Sequence, residues 1–369
     1  MRLGVNAAIL GDRPSGLGVY TVEVLRDLVR QLPDLVAYTS LPAIPGVPDG
    51  ALRGISRHTR PERGLRGHFA RFVWTQTMLP ARLARDRRSL LFSTFPEAML
   101  VAPIPQVCVV HDLIALRYPS YFPRLRWYFA RVLPVTLRRC AAVIVDSEAT
   151  RRDVASLLAV GDVPVHVVHP GYDAERFRPG LDATGVKRRY GLDRYVLFVG
   201  NVLPHKNVAG LLRAFAGIAK RVPHQLVLAG GRDDRFSPGL TTEAATLGVA
   251  DRVRWLDYVT ADELPLIYAG ADVYVHPSLY EGFGLTVLEA MACGIPVVSS
   301  RGGSLPEVGG DAVRWIRADD VDEMATALYE TVTDQSVRGK LREAGLSRAR
   351  AFSWPRAGRA IFEILSTIR

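Results

Sequence analysis

The chain has 369 residues, 48% hydrophobic and 23% charged, which exceeds one ordinary core and fits two domains of about 150 to 200 residues. That balance excludes a disordered chain, and no apolar run reaches the roughly 18 residues of a membrane span. The net charge of +10 is lopsided: residues 1–169 hold 22 arginines, no lysine and 13 acids, while the other 200 residues carry 25 basic and 24 acidic side chains.

Met1-Arg2 leads straight into LGVNAAIL and GDRP, too short and too polar for a secretory signal, so RLGVN (2–6) is expected to be a strand. GDRPSGLG (11–18) is a loop ending in two glycines, and 19–32 carries apolar residues at three-to-four spacing, an amphipathic helix. Strand, glycine loop and helix make the first unit of an α/β domain, whose ligand loops sit at strand carboxyl ends. The spacing falls short of G-x-G-x-x-G, so the loop is not a dinucleotide fingerprint by itself. LVAYTS is a further strand. The Pro- and Arg-rich stretch 41–66 is a long loop, of a length that is usually functional or mobile.

Ten arginines lie between Arg53 and Arg88 against only Glu62 and Asp86. This excess suits an anionic membrane surface or an anionic acceptor, and equally a plain solvated face. Nucleic acid is not an expected partner, because no recognition motif accompanies the arginines. Residues 68–86 are expected to form a helix interrupted at Pro80, SLLFST a buried strand, and QVCVVHD (106–112) a strand delivering His111 and Asp112 to its carboxyl end. RLRWYFARVLPVTLRR (124–139) is a basic, aromatic helix that could cover the sheet or lie on a membrane surface.

AAVIVDSEATRRDVASLL runs from strand to helix with Ser147 as N-cap, and VHVVHPGYD (165–173) closes the first domain. YVLFVGNVLPHKN (195–207) opens the second: a strand reaching Gly200, a loop with His205 and Lys206, and Asn207 as the cap of the next helix. QLVLAGG and DRVRWLDYV are strands, R-D-D (232–234) is an exposed turn, and Thr260 and Glu263 are spaced as a capping box. Three scattered cysteines, Cys108, Cys140 and Cys293, each in an apolar setting, point to buried thiols in a reducing compartment. No C-x-x-C or His/Cys cluster offers a structural metal site. A cytoplasmic protein is expected, peripheral at the inner face of the membrane if the arginines meet lipid.

The most informative stretch is HPSLYEGFGLTVLEAMACGIPVV (276–298). It reads as strand, glycine turn, helix, strand. Gly282 and Gly284 allow a tight bend or a close backbone approach, and the helix beginning near Thr286 points its N–H groups and positive dipole end into the turn. Glu281 precedes that anion site and Glu289 follows about one helical turn in. Two carboxylates beside an anion site would repel the anion unless they bind something else, such as sugar or ribose hydroxyls. Gly302, Gly303 and Ser304 fall near the same edge.

With seven residues between Glu281 and Glu289 and G-F-G-L inside, this stretch resembles the E-x7-E signature of retaining GT-B glycosyltransferases, most closely family 4, which includes bacterial mannosyltransferases and glucosyltransferases. The resemblance covers nearly the whole chain and is motif-specific from about 195 to 310. It implies an α/β chain of two Rossmann-like, doubly wound parallel-sheet domains, 1–170 and 171–353, facing an inter-domain cleft, with the final helix 354–369 returning to the first. The implied reaction moves a hexose from a nucleoside diphosphate sugar, GDP-mannose before UDP-glucose, to a glycan or lipid-linked acceptor, with retention and without a metal or other cofactor. The products would be polysaccharide, lipopolysaccharide or glycolipid.

By position the resemblance assigns His111 to the donor sugar and Gly16 and Gly18 to the loop between donor diphosphate and acceptor. Lys206 would meet the diphosphate, with His205 standing where arginine is common. Glu281 would bind sugar hydroxyls and Glu289 the ribose. Gly200, Asn201, Gly282, Phe283, Gly284, Leu285 and Thr286 complete the donor-binding set. Two other readings stay open on the same architecture: a nucleotide-sugar epimerase, and a non-catalytic nucleotide-sugar sensor.

Overall fold

The computed structural model describes residues 1–12 and 15–368. Its contacts divide into two units, Met1–Gly171 together with the chain from Trp354 onward, and Tyr172–Ser353.

In the first unit the described residues form seven parallel strands: β1 (Leu3–Asn6), β2 (Val36–Thr39), β3 (Leu52–Gly54), β4 (Leu90–Ser93), β5 (Gln106–Val110), β6 (Ala142–Val145) and β7 (Val165–Val167). Their order across the sheet is β3-β2-β1-β4-β5-β6-β7. β1, β2, β4, β5 and β6 are buried along their whole length, as a parallel sheet covered on both faces requires. The order reverses between β1 and β4, so the loops after these strands diverge and leave a crevice at their carboxyl ends, where ligands of doubly wound sheets bind. The helix Trp354–Thr367 packs on the helix Gly16–Gln31, close enough that a Cβ on Gly358 would meet Asp27.

Several elements differ from the sequence expectation. Gly16 and Gly18 lie in a helix rather than a loop: it starts at Gly16, with the Ser15 hydroxyl accepting from the Gly18 N–H. Arg13 and Pro14 of that expected loop lie outside the described residues, as does Arg369 of the terminal helix. The 41–66 stretch is pinned down: it contributes β3, and its buried Arg60 donates to the Ser40 carbonyl and hydroxyl and pairs with Asp12. Pro80 does not interrupt its helix, which runs unbroken from Gly64 to Arg85. Proline costs an interior helix about 3 kcal/mol, but fully buried Leu79 and Leu83, packed in one core with Val36, Tyr38 and Leu91, return a comparable amount at about 1.5–3 kcal/mol each. The basic, aromatic segment is helical as expected, running from Pro123 to Leu137 with Pro134 inside it, and departs from regular α geometry only in a π-type turn at Tyr128–Val132.

The second unit has six parallel strands among the described residues: β8 (Tyr195–Val199), β9 (Gln225–Ala229), β10 (Val253–Asp257), β11 (Val273–His276), β12 (Val297–Ser300) and β13 (Arg314–Ile316), in the order β10-β9-β8-β11-β12-β13. Alternate residues of β8 serve opposite faces: Tyr195, Leu197 and Val199 enter one core, Val196 and Phe198 the other. The order reverses between β8 and β11, the two strands that carry Lys206 and Glu281 in the loops beyond them.

Candidate functional site

In the second unit the site is built where the sheet order reverses. The short helical turn Pro204–Lys206 follows β8, and the Leu279 N–H donates to the His205 carbonyl at 2.7 Å, tying this loop to the one after β11. Asn207 does not cap the following helix with its side chain. It sits in the left-handed region at φ 56°, and its amide donates to the carbonyls of Pro277 and Ala318. These bonds hold Lys206 beside Glu281, with Nζ at 2.7 and 2.9 Å from the two carboxylate oxygens.

Glu281 is buried and also meets His276 Nε2 at 2.8 Å. Burial raises its pKa, but the Lys206 charge and the His276 hydrogen bond outweigh that and hold it far below the ordinary carboxylate range. A carboxylate offers about four acceptor sites. Lys206 takes one on each oxygen and His276 a second on Oε1, so one acceptor position on Oε2 remains. Lys206 in turn has spent two of its three donors on Glu281.

The turn beyond Glu281 is stitched by Ser304, whose single hydroxyl proton is shared between the carbonyls of Phe283 (2.7 Å) and Glu281 (3.1 Å). The helix runs Leu285–Ala292 with Gly284 at its N-cap, φ 110°; a Cβ there would stand 2.9 Å from Leu305 Cδ2. A helix leaves its first N–H groups without intrahelical acceptors, here those of Leu285 and Thr286, since the Val287 and Leu288 N–H groups reach back to the Gly284 carbonyl. Thr286 directs its hydroxyl toward His276 (3.5 Å). Phe283 turns its ring into the core against Phe352, and Leu285 packs against the same core, so these two members of the expected set offer backbone rather than side chain.

Gly303, at φ 65°, lies against the Glu281 carbonyl so closely that a Cβ would overlap it. Gly303→Ala should therefore lower the thermal midpoint and displace Glu281, since a left-handed φ and overpacking each cost about 1–3 kcal/mol. Calorimetric unfolding checks this, and an unchanged midpoint would mean that the turn relaxes freely.

Glu289, half-buried, accepts from the Tyr268 hydroxyl at 3.0 Å. Burial pushes its pKa up to about 7, against the lowering effects of Tyr268 and Arg176. The folded chain thus holds this proton more tightly than the unfolded chain, whose carboxyl titrates near 4.5. Its contribution to stability is complete below 4.5 and is lost as pH rises to about 7. A ligand hydroxyl donating to the carboxylate favours the ionised form, so affinity for a nucleoside diphosphate sugar should tighten as pH rises through 7. Glu289→Gln should flatten that rise and also the accompanying fall in thermal midpoint. Parallel wild-type and variant curves would mean that the ligand does not touch Glu289.

His205 differs from the expected phosphate contact. Its side chain is buried, and burial together with the neighbouring Lys206 charge lowers its pKa to about 4. Near neutrality it is an uncharged imidazole. Asn201 is exposed, its side chain accepting from the Leu203 N–H. Gly200, at φ 152°, lets the β8 loop pass against Gly230.

In the first unit His111 lies just beyond β5. Its Nδ1 is 2.6 Å from Asp146 Oδ2 and its Nε2 2.8 Å from the Thr94 carbonyl, while Tyr20 and Trp354 stack edge-on behind it in sequence. Burial opposes a charge on the ring, but Asp146 and the Thr94 carbonyl prevail and raise its pKa. Because both ring nitrogens face acceptors, this geometry fits an imidazolium donating from each. Gly16 and Gly18 open the helix after β1, at the same edge of the sheet.

His276, Asp146 and Tyr268 were not singled out from the sequence. His276 and Asp146 carry the signal that marked His111, a polar residue at or just past the carboxyl end of an apolar strand. Tyr268 carries none, since an aromatic residue in an amphipathic helix reads as core. Among the described residues no group of three or more His, Cys, Asp or Glu side chains is placed to hold a metal, and the three cysteines are free and buried.

Solved structures share this architecture. Sucrose-phosphate synthase from Thermosynechococcus elongatus superposes with a TM-score of 0.80 at 21% identity, covering 99% of this chain and 98% of that one. HepE from Anabaena in complex with UDP-glucose gives 0.79 at 18%, covering 99% of each. The fold is that of the GT-B glycosyltransferases. Residues 14–176 match Glycosyltransferase Family 4, and residues 185–348 match Glycosyl transferases group 1. Among relatives, O-antigen chain mannosyltransferase B of Escherichia coli is 29% identical over 356 residues, 92% of this chain and 93% of that protein. A D-inositol 3-phosphate glycosyltransferase of Corynebacterium jeikeium is 33% identical over 252 residues, 63% of this chain and 60% of that protein. With the two models matching successive halves of it, the chain belongs to the glycosyltransferases of the family 4 type.

Proposed function

We propose that this glycosyltransferase moves a hexose from a nucleoside diphosphate sugar to a hydroxyl of a glycan or lipid-linked acceptor, with retention at the anomeric carbon. The observation that carries the reading is the pairing of Lys206 with Glu281 where the second sheet reverses its order, beside the helix that begins after Gly284. Lys206 and the first-turn N–H groups answer the charge that develops on the departing diphosphate. The open position on Glu281 Oε2 accepts from a sugar hydroxyl, and Glu289 accepts from the ribose. His111 donates to the sugar, exchanging its bond to the Thr94 carbonyl for one to the substrate. In the reaction the bond from the anomeric carbon to the phosphate oxygen breaks and one to the acceptor oxygen forms on the same face. The acceptor proton passes to the leaving phosphate. No metal is required in this scheme, since Lys206 and the helix end supply the positive potential; transfer that survives chelation supports that part.

GDP-mannose is the first candidate donor, in keeping with the name of the Escherichia coli relative, and UDP-glucose is the second, in keeping with the ligand of the HepE complex. A thermal-shift screen of GDP, UDP, ADP and their sugars discriminates them, because a ligand at 100 times its Kd adds about 2.7 kcal/mol. No shift with any of these nucleotides would overturn the donor reading. Donor turnover that needs no acceptor would instead favour an epimerase.

A further inference from the structure

Two helical segments of the first unit wall a groove of about 670 Å³. Leu65, Phe69 and Phe72 come from the helix Gly64–Arg85, and Trp127, Val132 and Val135 from the helical segment Pro123–Leu137. The lining is almost wholly carbon, yet Phe69 is 68% exposed and Trp127 64%. A helix face that will stay in water does not ordinarily present phenylalanine, tryptophan, leucine and valine side by side.

The floor beneath them is tightly built. Tyr128 donates to the Pro96 carbonyl at 2.8 Å, and its ring meets His68 edge-on at 5.0 Å. Buried Glu97 joins His68 and Arg71 at 3.2 and 3.3 Å. Gln76 clamps the following loop through the Ala98 carbonyl and the Leu100 N–H, which sets Leu100 into the groove wall. The apolar face is thus a fixed surface, held open by hydrogen bonds and ion pairs made underneath it.

Charge decides what the surface fits. Arg124 and Arg131 line the groove, and exposed Arg63, Arg66, Arg126, Arg138 and Arg139 lie on the same two segments or at their ends. Neither segment carries an acid: there is none from Arg63 to Arg85 and none from Leu113 to Val145. The arginine run 53–88 is by contrast only partly a surface feature, because Arg60 and Arg71 are buried in internal bonds.

We propose that this face docks on an anionic phospholipid bilayer, with Phe69, Trp127 and their neighbours entering the headgroup boundary and the arginines meeting lipid phosphates. Aromatic side chains flanked by cations match that interface, where apolar burial and attraction to anionic lipid act together. A protein partner would have to supply both an apolar ridge and an unbroken acidic rim; a bilayer supplies them as acyl chains and phosphates. No helix of the described residues is long and apolar enough to cross a membrane, so the association is lateral.

The test is co-sedimentation of the full chain with vesicles of phosphatidylcholine alone and of phosphatidylcholine with phosphatidylglycerol, at low and at high salt, without donor or acceptor. It therefore stands apart from the donor reading. Binding to the anionic vesicles only, released by salt, is the expected result. Arg124→Gln with Arg131→Gln should weaken it roughly 30-fold. Phe69→Ser with Trp127→Ser should abolish it while the thermal midpoint stays within a few degrees, since these side chains are exposed. No binding at low salt, or equal binding to neutral vesicles, overturns the proposal. So does a dimer in sedimentation velocity that the Phe69 and Trp127 changes dissociate, because a second copy would then cover the face.

Discussion

Glu281→Ala should lower transfer at least about 100-fold, the scale of losing charged hydrogen bonds that strengthen in the transition state. The free nucleoside diphosphate should still bind, because it lacks the sugar whose hydroxyl Glu281 accepts. Its affinity should hold or rise, since the variant releases Lys206 from both carboxylate oxygens and leaves three donors for phosphate. Stability should fall as well. Removing one partner of a buried pair leaves an uncompensated charge, at a cost of about 3–5 kcal/mol, here toward the lower end because Lys206 is 17% exposed. Glu281→Gln keeps the shape and separates the two effects: transfer should fall while the fold is largely retained. Calorimetry in which diphosphate affinity collapses in either variant would reverse the assignment and make Glu281 a support for the phosphate site.

Asp146→Asn is the second large effect. Asp146 Oδ2, at 2.6 Å, is the principal counter-charge of His111, with Asp112 contributing at longer range, the Thr94 carbonyl opposite and Tyr20 alongside. With the carboxylate neutralised, burial prevails and the imidazole loses its proton at lower pH. Losing a charged hydrogen bond of about 1.5–3 kcal/mol should lower transfer roughly 10- to 100-fold near neutrality. The signature is in the pH profile. In the wild-type chain the His111 pKa is raised, so its stabilising contribution is complete below about 6.5 and is lost as pH climbs through the raised value. The alkaline limb of kcat/KM should follow the same titration, and in Asp146→Asn it should move to lower pH. Profiles that differ in height but not in position would show that Asp146 only supports the fold around His111.

Much of this was legible in the chain because it is local. Apolar runs of four or five residues mark the long-buried strands, and glycine, proline and capping residues punctuate them. Ser147 caps its helix as its spacing predicts, accepting from the Thr150 N–H. The turn around Gly284 announces itself, since only glycine takes its φ without strain. Family membership and two parallel sheets followed from such stretches. Misreadings arose where packing outweighs local preference. Pro80 survives because Leu79 and Leu83 are buried on either side of it, and Asn207 spends its amide on two carbonyls from distant loops.

Which strands carry the site is a property of the sequence; what the site residues become is decided by the fold. Lys206 meets Glu281 across 75 positions and His111 meets Asp146 across 35, distances that sheet order closes and that no periodicity encodes. Charge state follows from those meetings. Burial raises the pKa of both Glu281 and Glu289, but Lys206 and His276 reverse it at Glu281, whereas Glu289 has a tyrosine hydroxyl for a neighbour and is left near 7. Two glutamates of one motif thus titrate far apart. His205, a basic residue in sequence, is held neutral next to Lys206, while Asp146 raises the pKa of His111 against its burial. Desolvation and the field of a partner depend on three-dimensional neighbours, so they appear only once the sheets are assembled.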